Sequence, residues 1–125
     1  MIHGFDDYTE PLTDRDRYLV DRAAAWLNAT PAGPGYAITN GELAEHIGLR
    51  SGIKSAAKVR AIIHAIRVEG AVKWLVASSK GYYRAQTAGE VRAFVESLRE
   101  RGRSMTEVAD ALREQLVEAG QGVLI

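Results

Sequence analysis

Lys54, Lys58, Ala61 and His64 recur at intervals of three or four residues, which returns them to one side of a helix, with Arg60 and Arg67 on its flanks. Ammonium and guanidinium groups so placed can reach phosphate oxygens, and they can donate to O6 and N7 of guanine. Ala61 is small enough to let a helix approach a groove floor. Ser55 stands where a hydroxyl and exposed backbone N–H groups can meet a phosphate at a helix start. Further along, Ser78, Ser79 and Lys80 precede a glycine, and Arg84 follows. That is a compact polar tip suited to a phosphate or minor-groove contact. These residues belong to one charged block. Residues 50–84 carry eight basic side chains and one acid, a charge of +7, against −5 for residues 1–49 and −2 for 85–125, so the neutral total hides a polarised chain. Lys and Arg on a helix face usually mark solvation only. A surface that mixes so few acids among its bases is less ordinary and points to nucleic acid.

Other chemistries find little material. The chain has no cysteine, and His3, His46 and His64 lack metal-ligand spacing. There is no Gly-rich phosphate loop, no nucleophile elbow and no paired carboxylates near a histidine. The expectation is therefore a non-enzymatic protein with no catalytic residues, no metal and no cofactor. No apolar run approaches the ~20 residues that span a bilayer, and Met1–Glu10 is polar and acidic. A soluble, intracellular protein, cytoplasmic and without a membrane partner, is expected.

The elements that must hold these residues are legible as periods and caps. Residues 1–12 read as an arm. Thr13, followed by Asp14 and Asp16, starts a helix over about 14–28 with Leu19, Ala23, Trp26 and Leu27 inward. The run Thr30-Pro31-Ala32-Gly33-Pro34-Gly35 ends it. Tyr36–Ile38 is a short β-prone stretch. Thr39-Asn40-Gly41-Glu42 is a capping box for a second helix stopped by Gly48. Ser51 or Ser55 caps a third helix, whose apolar face is Val59, Ile62, Ile63 and Ile66 and which ends near Glu69-Gly70. Ala71–Ala77 and Tyr82–Ala85 are β-prone around the turn Ser78–Gly81, which predicts a hairpin. Trp26 and Trp74 are expected in the core, and one of Tyr82 and Tyr83 with them.

That order predicts an α+β, mostly helical fold: a winged helix-turn-helix over residues 13–86 with a C-terminal helical extension over 87–120 and a tail at 121–125. In the extension, Val91, Leu98, Met105 and Leu112 are seven apart. Phe94 and Val108 form a second row that Arg101 and Gln115 interrupt. This is either a homodimer seam or a stripe folded back on its own domain, and dimerisation through these six apolar residues is favoured. Gly102 and a second capping-box match at Ser104–Glu107 allow a break there, although the heptad phase favours continuity.

The runs Ala37–Ala44, Lys58–Arg67, Ala77–Ala85 and Glu96–Arg101, read together, resemble the small winged-helix proteins common in bacteriophages and prophages. The resemblance covers about residues 12–118. Its wing motif, Ser78-Ser79-Lys80-Gly81-Tyr82-Tyr83, is the distinctive part. It implies a double-stranded DNA-binding fold in a phage or prophage setting, with members that look like regulators, replication-associated proteins or proteins of unassigned role. The Gly/Pro-rich linker 31–35 and the Ser51-Gly52-Ile53 insertion depart from the pattern, the latter where the third helix begins. The alternative partner is a host protein, bound by a winged helix acting as an adaptor.

Overall fold

A computed structural model describes residues 12–49 and 53–120, with the side chains of Ile53 and Lys54 left out. The arm over residues 1–11, Arg50, Ser51 as a cap, the side chain of Lys54 and the tail at 121–125 lie outside the described residues. The chain is mostly helical with one small antiparallel sheet. It divides into two compact units, residues 1–90 and 91–125.

In the first unit, a 3-10 turn at Asp14–Asp16 leads into α1, Arg17–Ala29. The Thr13 N–H donates to the Asp16 carboxylate at 2.9 Å, which closes the entry. Leu19, Val20, Ala23, Ala24 and Leu27 fall on one stripe and are buried. The Thr30 N–H reaches back to the Trp26 carbonyl at 3.0 Å, and the prolines beyond stop the helix. Helix α2, Asn40–Ile47, starts at the predicted box: Thr39 Oγ accepts from the Glu42 N–H at 3.1 Å, and the Glu42 carboxylate accepts from the Thr39 N–H at 2.9 Å. It stops at Gly48, whose φ of 86° lets Leu49 and Gly48 donate back to Ala44 and Glu45. Helix α3, Ile53–Glu69, buries Val59, Ile62, Ile63 and Ile66 almost completely. Each such side chain contributes roughly 1.5–3 kcal/mol of apolar burial. Because α3 starts before Ser55, that residue lies in the first turn and does not cap the helix.

The hairpin pairs β1, Leu75–Ser78, with β2, Gly81–Arg84, around a two-residue turn, in register Leu75↔Arg84 to Ser78↔Gly81. Ile38 joins it through a bridge to Tyr82, with both N–H···O bonds at 2.8 Å. The first strand is shorter than its composition suggests. Gly70 (φ 76°) and Trp74 (φ 61°) both take left-handed backbone, so Ala71–Trp74 turns where a strand was expected. Trp74 is in consequence 48% exposed, not in the core. Trp26 is half-buried, packed on the core and stacked on His46 with ring centroids 4.0 Å apart. Tyr82 and Tyr83 are both half-buried, where one core and one surface residue were expected.

Helix α4, Ala88–Glu118, runs 31 residues without a break, about 46 Å. It opens on a capping box that the sequence reading missed. Thr87 Oγ accepts from the Glu90 N–H at 3.2 Å, and the Glu90 carboxylate accepts from the N–H groups of Thr87 and Gln86. The match at Ser104–Glu107 starts nothing, since a helix-interior glycine costs only about 1 kcal/mol relative to alanine. No residue of α4 is buried. Leu98, Met105, Val108 and Leu112 are exposed, and Val91 and Phe94 half-buried.

Candidate nucleic-acid interface

The basic block divides into cations that hold the fold and cations that face solvent. Lys58 belongs to the first group. Its Nζ lies 2.9 Å from the Asp16 carboxylate, and the two side chains are only 18% and 14% exposed. A phosphate would have to displace a carboxylate already held there. Asp16 is well placed to stay charged: the Thr13 N–H, then the Lys58 ammonium, hold its carboxyl below the ordinary Asp value of 3.8. Lys58, expected as a duplex contact, is thus observed as a strut between α3 and the start of α1.

Arg67 and Arg84, also expected to meet the duplex, are likewise bonded within the fold. Arg67 Nε donates to the Leu75 carbonyl at 2.9 Å, and its guanidinium lies 5.7 Å from the Tyr82 ring centroid. Arg84 Nε donates to the Leu27 carbonyl at 3.2 Å, and a terminal nitrogen donates to the Thr30 carbonyl. Those oxygens belong to the last turn of α1 and to the residue that caps it, where helix geometry leaves carbonyls without intrahelical donors and the dipole favours a cation. Ala61, expected on the open arc, is 5% exposed and lies on the buried side of α3.

What faces outward is smaller and differently placed. On α3, Ser55 and Arg60 are half-buried and His64 is exposed. On the hairpin, Ser78, Ser79 and Lys80 form the exposed tip, with the Lys80 N–H closing the turn onto Ser78 Oγ at 3.1 Å. Lys73 is exposed at the foot of β1. The tip does not stand alone. An open cleft of about 400 Å³ separates Ser78, Ser79 and Lys80 from Thr39, Asn40 and Gly41 at the start of α2. Backbone N–H groups and the positive dipole end of a helix sit at such a start.

Two residues absent from the expected set build this cleft. The Tyr82 hydroxyl donates to Asn40 Oδ1 at 2.7 Å, joining β2 to α2. Burial raises the Tyr82 hydroxyl above its usual 10.0, so it stays a donor. Gly81 lies so near Ile38 that a Cβ there would stand 2.4 Å from the Ile38 carbonyl oxygen. The Tyr82–Asn40 pair is 42 residues apart and had no sequence signal; the glycine after Lys80 was visible, but its reason was not. The lone acid of the block, Glu69, is gripped by both terminal nitrogens of Arg17, which lowers its carboxyl below the usual range. Among the described residues no group of three His, Asp or Glu side chains is placed to hold a metal, and no helix is long and apolar enough to cross a membrane.

The strut at Asp16 makes a prediction. Asp16→Asn is expected to cost about 1–2 kcal/mol at pH 7, the value of a partly exposed charged hydrogen bond. Because the folded carboxyl is held below its unfolded value, its contribution is full above about pH 5 and is lost as the pH falls through 4 and below. Urea denaturation of the wild type and variant at pH 7 and pH 3 should show the gap closing in acid. A gap that is the same at both pH values would remove the strut.

Comparison with protein-family models, curated proteins and solved structures finds no match to this chain.

Proposed function

We propose that residues 13–86 form a winged helix-turn-helix that binds double-stranded DNA sequence-specifically. The chain would act as a homodimeric phage or prophage regulator or replication-associated factor in the cytoplasm of a bacterial or phage-infected cell. The observation that carries this reading is the placement of the hairpin tip. Ile38 pairs with β2, and this sets Ser78, Ser79 and Lys80 across a cleft from the first turn of α2. Helix α3 is the next helix after α2 along the chain, as the reading helix is in such units. In this arrangement phosphates are met by the tip, by α2 and by Ser55 in the first turn of α3, which also holds Lys54, and base edges by the side of α3 that carries Arg60 and His64. The reading involves no catalytic residue and no cofactor.

Lys80→Ala tests it. Its loss should weaken binding uniformly across sequences and reduce the slope of log affinity against log salt by about one, because one phosphate contact releases about one counterion. Stability should not change. Mobility shift against random duplex DNA at low and moderate salt provides the measurement, and absence of any shift at low salt would rule out DNA binding.

A second reading has specific support. With Lys58, Arg67 and Arg84 engaged inside the fold, the cationic surface is thinner than the charge count, and Trp74 stands exposed on left-handed backbone. An adaptor that docks a host protein through such an aromatic fits these facts. Pull-down from a bacterial lysate, lost in Trp74→Ala but kept in Lys80→Ala, would favour it over DNA binding.

A further inference from the structure

Along α4, Val91, Leu98, Met105 and Leu112 form one row at seven-residue intervals, and Val95, Gly102, Ala109 and Leu116 form another. The rows alternate at steps of four and three, so together they make one continuous seam. Every position in it is apolar or glycine. The second row read from the sequence passed through Phe94, Arg101, Val108 and Gln115, half of it polar. A turn of one position removes both polar residues. Val95, Leu98, Met105, Leu112 and Leu116 are each more than a third exposed. A helix this long draws its stability mainly from covering such a stripe.

The rows differ in size at mid-helix, where Gly102 and Ala109 stand beside Leu98 and Met105. A glycine inside a helix is unfavourable. Nothing among the described residues requires it there, since a Cβ on Gly102 would meet none of their atoms within 4 Å. In a parallel pair each row meets itself, so Gly102 faces Gly102 and Ala109 faces Ala109. Two voids result, and voids destabilise. In an antiparallel pair the rows cross. With the two-fold axis between Arg103 and Ser104, Gly102 faces Met105 of the second copy and Ala109 faces Leu98. Val95 then faces Leu112, and Val91 faces Leu116. Each small residue receives a large one. The flanking positions carry Arg92, Arg99, Arg101 and Arg113 and no acid, so no salt bridge across the seam favours the parallel form. The antiparallel pair sets Arg92 beside Arg113 of the second copy, but like charges at an exposed rim are screened and cost little, so the size match decides the orientation.

We infer that α4 pairs antiparallel with α4 of a second copy, Gly102 and Ala109 forming the notches that receive Met105 and Leu98. This rests on the homodimer reading and adds its orientation. The full chain has no cysteine, so introduced ones report contacts cleanly. Mass in solution comes first, and a monomer at high concentration overturns the homodimer itself. For a dimer, L98C mixed with A109C is expected to form a disulfide between the two variants, while neither alone links to itself. Self-linking of L98C would overturn the antiparallel orientation and leave the dimer standing. G102L gives a second reading by sign. It should weaken the dimer about tenfold or more by striking Met105, and M105A in the same chain should restore it. In a parallel pair G102L would fill a void, so a tightened dimer overturns the inference.

Discussion

Gly81→Ala is expected to destabilise the first unit by about 2–4 kcal/mol, through strain at a backbone angle that L side chains avoid and through overpacking. Gly81 has φ of 128°, and its missing Cβ is the space that the Ile38 carbonyl occupies. Neither neighbour can give way cheaply, because Ile38 and Tyr82 exchange both of their backbone hydrogen bonds at 2.8 Å. The hairpin would have to lift from Ile38, and with it Lys80 would leave the start of α2. Two losses follow together: a lower urea midpoint, and weaker DNA binding even under conditions where the variant is fully folded. Gly41→Ala is the control. It lies exposed in the first turn of α2 with only Thr39 Oγ nearby, at 3.9 Å, and should be neutral or gain up to about 1 kcal/mol from helix propensity. A Gly81→Ala variant within experimental error of wild type in both assays would mean that the bridge does not position the tip.

The elements were legible because their signals are local. Thr39 and Glu42 are three residues apart, Gly48 directly follows the helix it ends, and the apolar face of α3 repeats within one segment. The roles of the cations were not legible, for a physical reason. A lysine at helical spacing has the same sequence signature whether its ammonium meets solvent, a phosphate or a carboxylate. Lys58 meets Asp16, 42 residues earlier. Arg84 meets carbonyls 54 and 57 residues earlier. Such partners are chosen by how helices pack, which periodicity does not encode. Trp74 misled for a related reason. Its size argues for burial, but the two left-handed residues at 70 and 74 turn the chain so that the ring is left outside.

Arg84→Ala should separate holding the fold from touching DNA most sharply, because the residue lies in the basic block and yet its guanidinium is bonded within the fold. Its guanidinium is the donor for the Leu27 and Thr30 carbonyls at the end of α1, and its own carbonyl accepts from the Gly33 N–H at 2.9 Å. Truncation leaves half-buried oxygens without donors at the negative end of a helix dipole, so a loss of about 2–4 kcal/mol is expected. Arg84→Lys should recover only part of it, because one ammonium cannot reproduce the planar fork that spans two carbonyls. The DNA readout should move differently. Below its melting point, Arg84→Ala should keep the wild-type salt slope, since no phosphate contact has been removed, whereas Lys80→Ala should keep stability and lose about one from the slope. If the Arg84 variant instead melts like wild type and flattens the salt dependence, its side chain faces the duplex and the α1 anchor is wrong.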